Sequence, residues 1–296
     1  MILMVSGRTD IVAFYSTWFF KRLEEGFVDV RNPFCHYKVS RINFSDVDGI
    51  LFCTKNPIPI LNRIDKITIP YIFHVTLTPY KSDIEPNVPP KGMVIESIKK
   101  LSSVIGKEKI WIRYDPIFIS DVYNLEYHVK AFENLCNLLD GYVSKIIISF
   151  LDDYKNVRRN MKTINARELT KEDYEVIGIN FSNSAKKHNM TVQTCFEEIN
   201  LTEYGFIKED CLSESIASAL TGKTKFTKWK ARDGKKCSCV EMVDIGVYNS
   251  CKHFCKYCYA NYDEKEVISN NLKHDIDSSF LVGSSENNDE IKVRKA

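Results

Sequence analysis

Cys251, Cys255 and Cys258 stand in the stretch CKHFCKYCYANYD, residues 251–263, at CxxxCxxC spacing. Thiolate is the ligand form of cysteine, and thiols crowded on one short loop can serve one metal centre. Zinc modules usually offer two CxxC pairs, or CxxC with two histidines, to fill four tetrahedral positions. Three thiolates on one loop fit instead three irons of a [4Fe-4S] cube and leave the fourth iron open. A zinc site is the alternative. His253 could replace a thiolate there, although its offset between two cysteines suits the cube poorly.

Cys195, Cys211, Cys237 and Cys239 precede that loop and form a second set of four. Four thiols are the complement of an auxiliary [4Fe-4S] cluster, or of a structural zinc. The bland reading is buried free cysteine, a common core residue. Cys35, Cys53 and Cys136 lack clustered partners, and Cys136 lies on an apolar helical face that predicts a core position. The chain holds ten cysteines, and its opening MILMVSGRTD does not resemble a secretion signal, which together predict a reducing, cytoplasmic setting.

The run KTKFTKWKARDGKK (223–236) carries seven basic residues with Phe226 and Trp229. Such interleaving can contact nucleic acid through phosphate charge and base stacking. Its bland reading is a solvated loop offsetting the charge of nearby thiolates. A net charge of +2 makes no case for nucleic acid or membrane by itself, and no apolar run has the length of a membrane span. There is no GxSxG and no phosphate-loop glycine pattern, so hydrolase and nucleotidase readings lack support. His74, inside an apolar run, reads as a core histidine, and Tyr114 and Tyr259 as structural tyrosines rather than radical relays.

The elements that must position these residues are written as short apolar runs: 2–6, 49–54, 71–78, 109–114, 145–151, 190–196 and 242–248. They are apolar throughout rather than alternating, as strands buried on both faces are. Helical patterns lie between them. DIVAFYSTWFFKRLEEG reads as one amphipathic helix capped by Asp10 and closed by Gly26. LEYHVKAFENLCNLLDG ends at Gly141, and a third helix starts at the capping box Thr170 to Asp173. Strand and helix in alternation predict an α/β fold, a single (β/α) barrel of six to eight mostly parallel strands. The organisation expected is a barrel with its cysteine loop over 1–265, then a polar tail over 266–296, loosely packed except where FLVG docks. Polar clusters follow the strands: Ser6 to Asp10, Thr54 to Pro57, Arg113 to Pro116, Asp152-Asp153 and Glu197-Glu198. In a parallel barrel all of these open on one rim, where active sites are built.

CxxxCxxC with an aromatic at Tyr257, before the third cysteine, is similar to the signature of radical S-adenosylmethionine enzymes. The wider pattern SGRTD, AFY, WF, TKNP, WIRYDP, CSC, DIGVYNSC, CYANY and HDIDSSFLVG resembles the domain-of-unknown-function family 1848, which is related to those enzymes and distantly like spore photoproduct lyase. Cys53 stands where that family more often has Trp, and Ile276 where Pro is common. In most of the superfamily the cysteine motif follows the first strand. Here only 38 residues follow Cys258, so the resemblance implies a permuted barrel whose cluster-bearing strand, MVDIGVY, comes last.

The resemblance implies an oxygen-sensitive enzyme. Cys251, Cys255 and Cys258 would hold a [4Fe-4S] cluster that reductively cleaves S-adenosylmethionine to a 5′-deoxyadenosyl radical, which abstracts hydrogen from a substrate. Tyr257 would lie near the adenine, Arg113 or Lys55 would meet the carboxylate, and Asn56 and Asp115 the ribose or amino group. An Arg113–Asp115 rim salt bridge is the bland reading of two of these. An external donor such as flavodoxin or ferredoxin would supply electrons. Nucleic acid leads as substrate, then a peptide or small metabolite. The competing classes are a zinc-stabilised nucleic-acid-binding module on an idle barrel and an iron–sulfur electron carrier.

Overall fold

Each of the seven apolar runs contains a strand of one parallel sheet. The computed structural model describes residues 1–195, 197–228 and 239–295. In chain order the elements are β1 (Ile2–Val5), α1 (Ile11–Phe14), α2 (Ser16–Glu25), β2 (Phe27–Asn32), β3 (Cys35–Asn43), β4 (Gly49–Thr54), β5 (Tyr71–Thr76), α3 (Lys91–Ile105), β6 (Ile110–Ile117) and α4 (Leu125–Leu138). There follow β7 (Lys145–Phe150), α5 (Lys155–Ile164), α6 (Lys171–Lys187), β8 (Thr191–Thr194), β9 (Ile207–Lys208), α7 (Glu214–Thr221), β10 (Met242–Asp244), α8 (Glu264–Leu272) and β11 (Glu290–Val293).

Eight strands join in the order β10-β1-β4-β5-β6-β7-β8-β9, all parallel, with Ile2 opposite both Gly49 and Met242. The last sequence strand of this sheet therefore lies beside the first. Parallel strands bury both faces, which is why the runs do not alternate. One face (Leu3, Ile50, Phe52, Phe73, Ile112, Ile146, Ile148) packs under helical side chains such as Trp18, Phe19, Ile98, Phe132 and Phe181. The other face (Ile2, Leu51, Ile72, Trp111, Ile147) packs with Leu212, Ala217, Val240 and Met242. Strands β9 and β10 do not pair with each other, although Val240 N–H donates to Leu212 O at 3.0 Å just before β10.

The helix expected over 10–26 is two helices. Asp10 caps α1 by accepting from Ala13 N–H, and Gly26 closes α2 at φ 84°. Between them Tyr15 takes φ −134°, and its hydroxyl donates at 2.7 Å to Ser250 O beside the cysteine loop. The Thr170–Asp173 capping box forms as written.

A second sheet, β11-β3-β2, was not legible as strands. Its hairpin β2–β3 pairs antiparallel, and β11 adds parallel to β3. Residues 278–282 pack against the molecule: Phe280 and Leu281 are buried, and Trp18 Nε1 donates to Ser278 O at 2.8 Å. Helix α8 crosses the 265/266 boundary expected from composition and roots the cysteine loop, with Asn270 and Asn271 donating to the carbonyls of Asn249 and Ser250. No described helix is long and apolar enough to cross a membrane.

Candidate functional site

The loops after β1, β4, β7 and β8 and the C-terminal half of β6 meet the cysteine loop around one cavity of about 410 Å³. That size lies within the roughly 300–1,000 Å³ of small-molecule sites. Cys251, Cys255 and Cys258 line it together with Lys55, Arg113, Asp115 and Tyr257; Asn56 does not. Asn56 instead caps the turn after β4, its side-chain oxygen accepting from Ile58 N–H at 3.2 Å. Cys53, His74, Cys195 and Cys211 also line the cavity, so two thiols of the second set open on the same space as the loop cysteines, while Cys239 does not line it.

The cysteine loop is held from several sides. Phe254 sits at φ 54°, a left-handed conformation a non-glycine residue adopts only when its surroundings fix it. Asn156 Nδ2 donates to the Cys258 carbonyl, Asn160 Nδ2 to Lys256 O at 2.6 Å, and Asn87 Nδ2 to Lys252 O at 2.8 Å. Cys255 and Tyr257 are buried against Tyr80, Ile84, Phe118 and Val157, which belong to the loops after β5 and β6 and to α5. Burial raises the pKa of all three loop thiols, most clearly at Cys251, whose neighbouring Asp10 adds to the effect.

Asp10 joins three segments. Its carboxylate accepts from Ala13 N–H, from Thr54 Oγ1 at 2.8 Å, from Lys55 N–H at 2.7 Å, and pairs with His253 Nε2 at 3.0 Å. His253 Nδ1 meets Asn87 O at 3.2 Å, so the ring braces the loop between β1 and the loop after β5. At the far end of the site, Asp244 accepts from Gly7 and Gly246 N–H groups, and Arg8 donates to the Asp244 carbonyl at 2.7 Å. This ties the end of β1 to the end of β10.

Glu85 is the largest omission of the sequence reading. It is 2 % exposed and takes Lys55 Nζ at 2.8 Å, Thr78 Oγ1 at 2.6 Å, and also Lys91 Nζ and the Tyr257 hydroxyl. Burial alone would raise its pKa, but the Lys55 and Lys91 charges overcome that and bring it to about 2. Lys55 Nζ also lies 5.2 Å from the centre of the Tyr257 ring. The signal was a polar loop after the third strand, Thr78 to Pro90. Arg113 meets Asp115 through Nε at 2.9 Å and Nη2 at 2.6 Å, the rim salt bridge of the bland reading.

Of the second thiol set, Cys211 Sγ lies 3.4 Å from Cys239 Sγ and hydrogen-bonds with Cys195. Cys237 lies outside the described residues, as do Trp229 and residues 230–236 of the basic run. Two thiolates on one zinc, each about 2.3 Å from the ion, stand about 3.8 Å apart, close to the Cys211–Cys239 spacing. Among the described residues, no group of three or more His, Cys, Asp or Glu side chains is placed around a single ion. A cube takes one thiolate on each ligated iron, which does not require sulfurs gathered on one point.

Two residues of the cavity wall also carry buried polar atoms without a hydrogen-bond partner, Thr9 Oγ1 and His74 Nε2, whereas Arg8 Nε lies 3.6 Å from the Asp244 carboxylate. A buried polar group left unpaired costs about 1–3 kcal/mol, so the Thr9 and His74 atoms suit a polar ligand in the cavity. Tyr114 lies away from the cavity, buried against Phe132 and Phe181 with its hydroxyl 3.0 Å from His128 Nδ1. Tyr259, 43 % exposed, stands at the cavity wall with its ring 5.5 Å from that of Tyr154.

No curated protein and no solved structure matches the chain. A family model described as Domain of unknown function (DUF1848) matches residues 2–260, a span that includes the three loop cysteines and every strand of the eight-stranded sheet. The chain belongs to the DUF1848 family.

Proposed function

We propose that this protein is a radical S-adenosylmethionine enzyme. The observation that carries the reading is that Cys251, Cys255 and Cys258 line one cavity together with Arg113, Lys55, Asp115 and Tyr257. The residues suit the group: two buried thiols and one half-buried thiol on a braced loop, and buried polar atoms without a hydrogen bond in the wall of a space of small-molecule size. Bound there, a [4Fe-4S] cluster and S-adenosylmethionine would supply reductive cleavage of the sulfonium to a 5′-deoxyadenosyl radical, the agent of hydrogen abstraction. The chain's own tasks are binding, orientation and exclusion of water and oxygen.

Arg113 is the better partner for the ligand's carboxylate. A guanidinium has five N–H donors, more than Asp115 engages, whereas Lys55 is committed to Glu85. Asp115 and Tyr257 keep their expected roles toward amino group and adenine. Asn56, used as a turn cap, is the weakest of the five assignments. Nucleic acid leads as the substrate class, because the half-exposed pair Tyr154 and Tyr259 at the cavity offers stacking surface; a peptide or small metabolite comes next. The fold is read as a barrel that closes between the β9–α7 and β10 segments, supported by the Val240–Leu212 hydrogen bond. A flavodoxin or ferredoxin in a reducing cytoplasm is the proposed electron donor. Cys195, Cys211 and Cys239, with Cys237, are read as a second metal site, and the Cys211–Cys239 spacing favours zinc there over a second cluster.

The test is anaerobic reconstitution with iron and sulfide, followed by dithionite and S-adenosylmethionine. The expected result is about four irons per chain and 5′-deoxyadenosine formation that disappears in Cys255→Ala; about eight irons would reveal an auxiliary cluster. Zinc without iron and no cleavage would make the protein a zinc-stabilised binding module. Iron without cleavage would make it an electron carrier.

A further inference from the structure

Lys91 is oddly placed for a helix. It is the first residue of the fifteen-residue α3, whose first turn has no acidic residue. A cation at a helix N-terminus faces the positive end of the macrodipole and costs about 0.3–1 kcal/mol. What holds Lys91 there is Glu85, the buried carboxylate it shares with Lys55. Two ammonium groups on one carboxylate leave one net positive charge. That charge sits behind the cysteine loop, since the same carboxylate accepts from the Tyr257 hydroxyl between Cys255 and Cys258. Lys55 lines the cavity, but Glu85 and Lys91 do not. Lys91 thus brings charge toward the loop without a place in the ligand space.

We propose that Lys91 is a positioning residue of electrostatic kind, supplying the excess positive charge that raises the reduction potential of the cluster bound by Cys251, Cys255 and Cys258. The inference rests on the reading of that loop as a cluster site. Thiolate ligands make such a centre negative, and reduction adds a further negative charge. A partly buried cation nearby, its side chain 31 % exposed, therefore stabilises the reduced form more than the oxidised one. Glu85 alone beside Lys55 would be neutral, and only the second lysine changes the sign of the group.

The experiment is an anaerobic potentiometric titration of the reconstituted protein, followed by its visible absorbance, in wild type, Lys91→Met, Lys91→Gln and Lys91→Arg. Both neutral variants are expected to show a reduced-to-oxidised ratio about tenfold lower at a given solution potential, a shift of about 59 mV downward for one electron. Lys91→Arg is expected to titrate with wild type. Neutral variants that titrate with wild type would overturn the proposal, and so would an arginine variant shifted as far as the neutral ones, because then shape rather than charge would be at work. If the wild-type chain assembles no cluster, the reading of the site falls and this inference falls with it, an outcome distinct from a cluster whose potential does not move.

Discussion

At the scale of single residues, the site is organised by buried charges that each answer to several partners. Asp10 and Glu85 hold the cysteine loop from two sides, through His253 and Tyr257. Only half of this was legible. Asp10 could be read as a helix cap because capping is local, but its bonds to Thr54, Lys55 and His253 depend on which loops meet. Glu85 stood in a polar loop after the third strand, a signal that does not single out one residue of it. His74 shows the same dependence on surroundings. Burial and then the Arg113 charge lower its pKa from 6.5 to about 3, and burial lowers His128 to about 4. The folded protein keeps both rings neutral while the unfolded chain protonates them below pH 6.5, so stability falls as pH falls from there. Between pH 7.5 and 5 each ring removes about 2 kcal/mol. Denaturant unfolding at pH 7.5 and 5 should show that His74→Phe loses about half as much stability as wild type over this interval; an equal loss would mean that His74 is not the group titrating.

At the scale of elements, apolar runs marked seven of the eight strands of the large sheet, all but the two-residue β9, and cap chemistry marked the α6 capping box, because both are written in adjacent residues. The hairpin β2–β3 was missed although Val28, Val39 and Ile42 are buried, since its sheet is completed by β11 from the far end of the chain. Close approaches are likewise invisible in sequence. Gly178 in α6 lets Tyr204 pack against the helix: a Cβ there would lie 2.3 Å from the Tyr204 ring. Alanine in place of glycine normally gains up to about 1 kcal/mol in a helix, while overpacking costs about 1–3 kcal/mol. Because the contact lies at the base of the tyrosine ring, overpacking should win. Gly178→Ala is expected to lower the unfolding free energy by about 1–2 kcal/mol, and Gly178→Ala combined with Tyr204→Ala to show little penalty beyond Tyr204→Ala alone. A stabilised single variant would contradict that packing.

At the scale of the whole molecule, strand order explains why the cysteine loop can come so late. β10 lies at the edge of the sheet beside β1, so the loop that follows it starts next to the polar segment that ends the first strand. Helix α8 then packs over the root of that loop, which ties it to the site, while residues 278–282 dock on Trp18 and Asp29. The central claim is that the cavity joins a cluster to S-adenosylmethionine. The most direct measurement is the electron paramagnetic resonance spectrum of the reduced, reconstituted protein before and after S-adenosylmethionine is added. The account predicts an iron–sulfur signal that changes shape on addition, because the proposed ligand would bind the iron that Cys251, Cys255 and Cys258 would leave open, and no such signal in Cys255→Ala. A signal indifferent to S-adenosylmethionine, or one that survives loss of Cys255, would contradict it.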